Sequence, residues 1–425
     1  MTTEAVGTVT DKSDCWAEAT VASCALKSEL RPGEALLVQS FSSWSEVEGL
    51  EAAWNELLAD SATRTIFLTW EWMQAWWSAF GARRDLVLLT CTDAKGSLMA
   101  AAPLQRTWEE LGPGVSGWLL RLVGDGIGGS ENLDWVIREG YEVPVVRSVL
   151  DWLDKQRSLW DSISLNTVPA TSPVIAAVRQ ELNRRGWRQV ERRGTGYARR
   201  LPDSWETLLA SLSKNKRAQI NARVRKLQNQ FSVRVRRCER LEDLPECLEH
   251  LFRLHQMRWE LRGKQGSFAL AQKRAFYLEM AQNLLRRGWL DFWLLDVNGR
   301  TVATEFGFHY KGTYSFLQAG FDPEYASYSV GVVLRAHIMQ ELIERGLREY
   351  DFLGGDDHYK HTWSATSRAY ISLTCARPFT RAAMGLVLDF AAEKTKNWLR
   401  VHTPRPIWQL LKHSYLRLKK AGRTP

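Results

Sequence analysis

The chain has 425 residues, of which 45% are hydrophobic and 25% are charged. Because a single core seldom grows to this length, we expect two domains. No run approaches the roughly 18 uncharged apolar residues that span a bilayer, and the N-terminus lacks a basic start followed by an apolar segment, so we expect a cytoplasmic protein.

The formal charge of +9 lies mainly near the C-terminus, where residues 381–425 hold ten Lys or Arg and two acidic residues. The rest of the chain is close to neutral, which argues against a uniformly basic surface for nucleic acid. Six scattered cysteines form no CxxC pair and have no His partners at finger spacing. We therefore expect neither a disulfide framework nor a metal site.

The first part of the chain is predicted to be a mobile leader, residues 1–37, followed by an N-terminal domain, residues 38–200. Helical and alternating apolar patterns predict its elements in chain order. These are helices at 47–58 and 70–80, strands at 85–91 and 98–105, a glycine-rich loop at 112–129, strand 133–137, helix 143–155, strand 161–165, helix 173–185 and a last strand that ends at 200.

A basic connecting segment, residues 201–240, is predicted as one long helix over 204–230. The C-terminal domain, residues 241–378, precedes a basic amphipathic tail, residues 379–425. The predicted elements of this domain are helices 244–262 and 271–287, strands 290–297, 301–310 and 313–320, helix 329–345 and strand 349–353. Helices before a meander, then a crossover helix and a strand, predict a mixed α/β sheet.

The two domains have a common pattern. Tyr141-x-Val-x-Val-Val146 matches Tyr328-x-Val-x-Val-Val333 at the start of the helix that follows the meander. The order of strands and helices around the two segments is also the same, which predicts a duplication.

Several further motifs occur in a fixed order along the chain. They are Thr69-Trp-Glu-Trp-x-x-Ala-Trp-Trp77, the basic run 211–226, Leu254-His-x-x-Arg258, Gly299-Arg-Thr-Val-Ala303, Ala319-Gly-Phe-Asp-Pro-Glu-Tyr-Ala-x-Tyr-Ser329 and Asp351-Phe-Leu-Gly-Gly-Asp356. Together they resemble the GNAT acyltransferases associated with cellulose and exopolysaccharide biosynthesis, relatives of the Fem-type peptidyltransferases. The resemblance implies two tandem GNAT-like domains with mixed sheets. It also implies an N- or O-acetyltransferase that moves an acyl group from acyl-CoA, with acetyl-CoA favoured, to an amine or hydroxyl of a saccharide or cell-envelope precursor.

A donor site is expected where the crossover helix of the second domain begins. Backbone N–H groups and the helix dipole favour the pyrophosphate of acyl-CoA there. The expected donor-binding residues are Tyr328, Ser329 and Gly331, with Gln318 on the preceding strand. The alternative for Ser329 is a simple helix cap.

A proton acceptor is expected on the strand 301–310, because a carboxylate in a central strand is either paired or functional. Glu305 is the candidate base, and a structural salt bridge is the alternative. His309 lies four residues later and is predicted to face the same cleft and bind substrate. A strand-end histidine without a function is the other interpretation.

The segment after strand 349–353 gathers carboxylates, an imidazole, a phenol and an ammonium group, as loops at ligand sites often do. Asp356 and Tyr359 are predicted to be catalytic, and Lys360 and Trp363 to bind substrate. A polar surface turn is the alternative. His255 and Arg258 on helix 244–262 are expected to orient the acceptor.

The tail places Ile407, Leu410, Leu411 and Leu418 on one side of a helix with cations opposite. This pattern is typical of an interfacial helix, here on the inner face of the plasma membrane, with a lipid-linked saccharide as acceptor. Docking of the stripe on the protein itself is the alternative. For the whole chain, two other functions stay open: Fem-like aminoacyl transfer from tRNA, and a non-catalytic accessory protein of polysaccharide biosynthesis.

Overall fold

The computed structural model describes residues 36–403, except 262, 356–359, 362 and 364. Most of the predicted leader, the apolar stripe after residue 404, and the predicted catalytic residues Asp356 and Tyr359 therefore lie outside the described residues. Below, the first half is the described chain up to Arg200, and the second half is the described chain from Leu201 onward.

Thirteen strands form one sheet. In chain order they are β1 Leu37–Phe41, β2 Asp85–Thr92, β3 Leu98–Gly112, β4 Val115–Leu122, β5 Val136–Ile137, β6 Ser162–Pro169, β7 Arg188–Arg200, β8 Val233–Arg237, β9 Leu290–Val297, β10 Arg300–Tyr310, β11 Thr313–Phe321, β12 Glu349–Gly354 and β13 Thr366–Ala376.

The α-helices cover or connect these strands. Within the described residues they are α1 Glu51–Ala59, α2 Trp70–Phe80, α3 Glu142–Lys155, α4 Pro173–Arg184, α5 Trp205–Ser211, α6 Lys214–Gln230, α7 Leu244–Glu260, α8 Ala271–Arg286, α9 Val330–Glu344 and α10 Arg381–His402.

The order of strands across the sheet is symmetric about its centre: β1-β2-β3-β4-β6-β13-β7-β12-β11-β10-β9-β8, with the short β5 paired to β3 outside this order. The centre is formed by two exchanged strands. β7 of the first half pairs with β12 of the second, and β13 of the second half pairs with β6 of the first. β7 and β13 also pair with each other in antiparallel register along most of their length. The duplication predicted from the Tyr-x-Val-x-Val-Val motif thus has a structural counterpart.

Each half contains one short parallel pair bridged by a crossover helix. β4 and β6 pair from Leu119 opposite Ser162 to Arg121 opposite Ser164, with α3 between them in sequence. β11 and β12 pair in the same way around α9. Parallel strands need such a crossover, which explains the sequence order of the elements.

Some elements differ from those predicted. β4 lies in the segment predicted as a glycine-rich loop, because Gly114, at φ 71°, sits in the tight turn that joins β4 to β3. The predicted helix 204–230 is two helices, since the Ser213 hydroxyl accepts a hydrogen bond from Lys216 N–H and starts α6 anew. β8 and β13 were not predicted.

The core joins the two halves, and the tryptophan-rich helix α2 is buried in it. Trp72 of α2 is fully buried and contacts Phe276 of α8 and Phe308 of β10, with ring centroids 5.5 and 5.3 Å apart. First-half aromatic residues therefore pack directly on second-half elements. Among the described residues, no helix has the length and apolar character that crossing a bilayer requires.

Strand exchange predicts that neither half folds alone. Without its partner, residues 36–200 would leave β7 without a pairing strand and one edge of β6 open, and residues 201–425 would leave β13 without a pairing strand and one edge of β12 open. Such exposed edges associate. We expect each fragment alone to aggregate and the two fragments, when co-expressed, to form a one-to-one complex. Size-exclusion chromatography and circular dichroism would measure this, with the intact chain as control. A monomeric 36–200 fragment with cooperative unfolding would contradict the prediction.

Candidate active site

A cleft of about 560 Å³ opens between β11 and β12. The two strands pair only from Thr313 opposite Glu349 to Ser315 opposite Asp351, and then they diverge. Residues 316–321 of β11, residues 352–354 of β12 and residues 329–332 at the start of α9 line the opening. Splayed strands leave backbone N–H and C=O groups available to a ligand with amide groups of its own.

The N-terminus of α9 faces this cleft. Ser329 precedes the helix in a left-handed conformation, at φ 54° and ψ 42°, and its hydroxyl makes no capping hydrogen bond. The first turn leaves the N–H groups of Val330 and Gly331 without intrahelical partners. A side chain added at Gly331 would meet no atom within 4 Å, so the space beside it is open. The predicted donor residues Ser329, Gly331 and Gln318 therefore line one cleft.

The equivalent helix of the first half is closed to an anion. Glu142 is the first residue of α3, and its buried carboxylate accepts a hydrogen bond of 3.0 Å from Gly140 N–H. Burial also raises the pKa of Glu142. Pro144 provides no N–H group. In the matching motif these positions are Ser329 and Gly331, and α9 has no acidic residue in its first turn. Only the second-half helix thus offers an open N-terminus.

Tyr328 lies beside the cleft and does not line it. Its ring contacts Phe231, with centroids 5.2 Å apart, and the Lys226 ammonium lies 4.7 Å from the ring centroid. Lys226 also donates a 3.4 Å hydrogen bond to Ser327 O. At the other end of α6, Lys216 donates to His361 O at 2.8 Å. The cationic helix α6 therefore runs along the rim beside the start of α9.

Glu305 is buried and lines the cleft, but it is already paired. Arg335 of α9 donates to its Oε2 from Nη2 at 2.8 Å and from Nε at 3.0 Å. Its Oε1 accepts hydrogen bonds from the hydroxyls of Tyr314 and Tyr350. Burial raises the pKa of both phenols well above the usual range, so they remain protonated donors. This arrangement is the salt-bridge alternative considered for Glu305.

His309 faces the same side of β10 as Glu305, but it lies outside the cleft lining. Its Nδ1 is 2.7 Å from Asp291 Oδ2, and Arg345 donates to Asp291 Oδ1 at 2.8 Å. Although burial of Asp291 opposes ionisation, the hydrogen bonds from His309 and Arg345 hold its pKa below the usual value. The predicted role in substrate binding is therefore corrected to a contact that stabilises the carboxylate.

His255 is 2% exposed and lies behind the cleft wall. Burial lowers the pKa of its imidazole to about 4, so the ring is neutral at neutral pH. Its Nε2 accepts a 2.9 Å hydrogen bond from Trp259 Nε1, and Trp259 and Arg258 both line the cleft. The prediction that His255 contacts the acceptor is therefore corrected, because His255 positions Trp259 instead. Arg258 reaches the cleft as expected.

The end of β12 has an unusual backbone held by side chains. Leu353 has φ 59°, a conformation rare for this residue type. The Lys360 ammonium is buried and donates to the carbonyl groups of Leu353 and Gly354. Lys360 lines the cleft, whereas Trp363 is fully buried in the second-half core. The predicted contact of Trp363 with substrate is corrected to core packing.

Glu131 is a cleft residue that the sequence did not reveal. It follows the glycine-rich segment of the first half and accepts a hydrogen bond from Gly354 N–H. Burial raises the pKa of its carboxyl group to about 7. No local pattern marks this residue, because its neighbours in space belong to the other half of the chain. Within the described ranges, no three His, Cys, Asp or Glu side chains are placed to bind a metal ion.

Comparison with known proteins supports the fold. Residues 214–361 match the family model of the acetyltransferase (GNAT) domain. The crystal structure of FemX is similar with a TM-score of 0.55 and 10% identity, covering 76% of this chain and 95% of that one. A conserved protein of unknown function from Bacteroides thetaiotaomicron VPI-5482 has a TM-score of 0.50 and 13% identity, covering 80% and 100%. None of the curated proteins matches the chain.

The match with the GNAT acetyltransferase domain lies within the second half. The mixed α/β fold with two tandem GNAT-like halves, predicted from the sequence, is confirmed. At such low identity the likeness to FemX concerns the fold alone.

Pairing of Glu305 with Arg335 predicts a large loss of stability when one partner is removed. Arg335→Met leaves a buried carboxylate without its cation and should lower the free energy of unfolding by about 3–5 kcal/mol. The double variant Glu305→Gln with Arg335→Met should recover much of it. Urea denaturation measures both. As control, Arg240→Met, in an exposed pair with Glu242, should cost about 1 kcal/mol or less. An equally small loss for Arg335→Met would contradict the prediction.

Proposed function

We propose that the protein is an acyltransferase that moves an acyl group from acyl-CoA to an amine or hydroxyl acceptor. Two features of one cleft support this proposal: β11 separates from β12 there, and the open N-terminus of α9 faces it. The first half repeats the scaffold but blocks the equivalent helix with Glu142 and Pro144. A ligand that is anionic at one end and amide-bearing along its length fits the second-half cleft.

Acyl-CoA has both features. Its pyrophosphate would meet the N–H groups of Val330 and Gly331, where the helix dipole favours negative charge. The amide-bearing arm would follow the free backbone of β11, which brings the thioester toward the middle of the cleft. Helix α6 carries six Lys or Arg and no acidic residue, which suits further phosphate groups at the rim.

The acceptor would approach from the side lined by Glu131, Arg258 and Trp259. Transfer would be direct within a ternary complex. The described cysteines, Cys91, Cys238, Cys247 and Cys375, are all buried, and none lines the cleft. Polar groups beside an aromatic wall suit a saccharide, so we propose a saccharide or cell-envelope precursor of exopolysaccharide biosynthesis as acceptor. Asp356 and Tyr359 stay predicted catalytic residues.

Two alternatives use the same scaffold. Fem-like transfer from aminoacyl-tRNA would explain the charge of α6, because phosphate contacts dominate affinity for nucleic acid. A non-catalytic accessory protein would retain the cleft but bind no donor. Acyl-CoA is favoured because the open helix N-terminus and the splayed strands together match a single small donor.

We also propose that the protein contacts the inner face of the plasma membrane, through α10 as well as the tail. Along α10, Met384, Val387, Leu388, Trp398 and Leu399 are 37–59% exposed and follow helical spacing on one side. Exposed Arg381, Lys394 and Lys396 flank this stripe. The helix's two acidic residues, Asp389 and Glu393, are bound in ion pairs with Arg192 of β7, at 2.8 and 2.6 Å. An apolar stripe with cationic flanks suits an anionic bilayer.

Isothermal titration calorimetry with acetyl-CoA tests the donor site. The wild type should bind, and Gly331→Trp should weaken binding at least tenfold, about 1.4 kcal/mol, by filling the space beside the helix N-terminus. Gly49→Trp is the matched control, since Gly49 also has no atom within 4 Å of an added Cβ and lies outside the cleft.

A wild-type protein that does not bind acetyl-CoA would contradict the acyl-CoA proposal. Binding of aminoacyl-tRNA by that same protein would favour Fem-like transfer. Binding of neither donor would favour the accessory function.

Co-sedimentation with vesicles tests the membrane proposal. Phosphatidylglycerol-containing vesicles should bind the protein, and phosphatidylcholine vesicles should bind it weakly. Leu388→Glu with Trp398→Glu should reduce binding at least tenfold, about 1.4 kcal/mol. The control places the same charge at two equally exposed leucines elsewhere, Leu241→Glu with Leu270→Glu. Equal losses in both double variants would show a general charge effect and contradict the proposal.

A further inference from the structure

We propose that Glu131, which belongs to the first half, accepts the proton of the acceptor nucleophile in the second-half cleft. The proposal rests on the proposed acyl transfer and deepens it. The first half would then contribute a catalytic residue to the reaction in addition to its strands in the shared sheet.

The position of Glu131 is set from both halves. The residue follows the glycine-rich segment after β4, and its Oε2 accepts the N–H of Gly354 at the end of β12. A side-chain carbon added at Gly354 would lie 2.7 Å from Glu131 Oε1, so this close approach requires glycine. Glu131 lines the same cleft as Gly331 and Gln318. The Glu131 carboxylate therefore lies where β11 and β12 separate, on the side of the cleft from which the acceptor is proposed to approach.

The state of Glu131 suits a base. Burial and the nearby Asp351 carboxylate raise the pKa of its carboxyl group, Gly354 N–H and Lys360 lower it, and the net value is about 7. Tyr370 also lies near the carboxylate, and burial keeps that phenol protonated by raising its pKa. A base works best when its pKa is close to the working pH. Gly354 N–H donates to Oε2, so Oε1 is the oxygen that would take up a proton.

The other cleft carboxylate is less suited to this step. Both oxygens of Glu305 are engaged by Arg335 and two tyrosine hydroxyls. Taking up a proton there would break an ion pair inside the core. Asp351 is buried, accepts Leu353 N–H through Oδ1 and does not line the cleft.

With an amine acceptor, the amine nitrogen forms a bond to the thioester carbonyl carbon, the carbonyl π pair moves to oxygen, and the nitrogen gains positive charge. Glu131 Oε1 takes one proton from that nitrogen. The carbon–oxygen double bond then re-forms, the carbon–sulfur bond breaks with its electron pair going to sulfur, and the coenzyme A thiolate takes a proton from solvent. Glu131 returns its proton to solvent, so that the net result is an amide, free coenzyme A and an unchanged carboxylate.

Selective labelling makes Glu131 visible by NMR. The sequence contains two Leu-Gly pairs, Leu111-Gly112 and Leu353-Gly354. Carbonyl-13C leucine with 15N glycine therefore yields two selected amide signals. Gly354 should shift with a midpoint near pH 7 in the wild type, and this step should vanish in Glu131→Gln. Gly112, on the β3–β4 hairpin, is the internal control. A Gly354 signal that is unaffected by Glu131→Gln would overturn the proposal.

Kinetics test the catalytic role itself. With acetyl-CoA and ethanolamine as probe acceptor, Glu131→Gln should lower thiol release at neutral pH by about 10²–10⁴-fold. Its acetyl-CoA affinity should be unchanged, and the acid limb of the pH profile near pH 7 should be lost. Glu131→Asp should retain part of the rate and should keep the acid limb of the pH profile. Glu110→Gln, at an exposed β3 position, is the matched control and should behave as wild type.

The outcomes separate this proposal from the one on which it rests. A Glu131→Gln variant that keeps the wild-type rate and pH profile would overturn the role of Glu131 alone. A variant that loses acetyl-CoA affinity in proportion to rate would also overturn it, because Glu131 would then build the donor site. A wild type that binds no acetyl-CoA overturns the proposed acyl transfer first.

Discussion

The hydrogen bonds between β7 and β13 hold the two halves of the chain in one sheet, and the site depends on them. Each of these strands also pairs with the opposite half, so no edge is left exposed at the centre. Because β12 is thereby fixed against β7, its far end can leave β11 without the sheet coming apart. The same junction brings the glycine-rich segment of the first half to Gly354. The cleft is therefore a product of both halves.

The two halves differ at equivalent positions. Each crossover helix connects the two strands of a short parallel pair, yet Glu142 and Pro144 close one helix N-terminus while Ser329 and Gly331 leave the other open. A carboxylate and a missing N–H group are enough for this difference, because an anion binds a helix start through free N–H groups and the dipole. The buried pair of Glu305 and Arg335 anchors the open helix to β10, so its N-terminus has a fixed position.

The local sequence predicted most helices and strands and the general position of the cleft well. The helix Trp70–Phe80 and the strand Leu290–Val297 have the predicted bounds, and Ser329 and Gly331, predicted at the α9 start, lie together in the cleft. Three features were missed. Strand exchange depends on backbone bonds between distant segments, β8 is only five residues long within the basic connecting segment, and Arg335 lies 30 residues from the carboxylate that it pairs. Glu131 was missed for the same reason: its function depends on neighbours from the other half.

The exchange also constrains how the protein can fold during synthesis. The hydroxyl of Ser162 in β6 donates to the carbonyl of Cys375 in β13, across a separation of 213 residues. Contacts between segments so distant form late, since the loop between them must first close. While the ribosome is still making the second half, β6 and β7 are present without their final neighbours. The growing chain therefore exposes edges of β6 and β7 that can pair with other chains until β13 emerges.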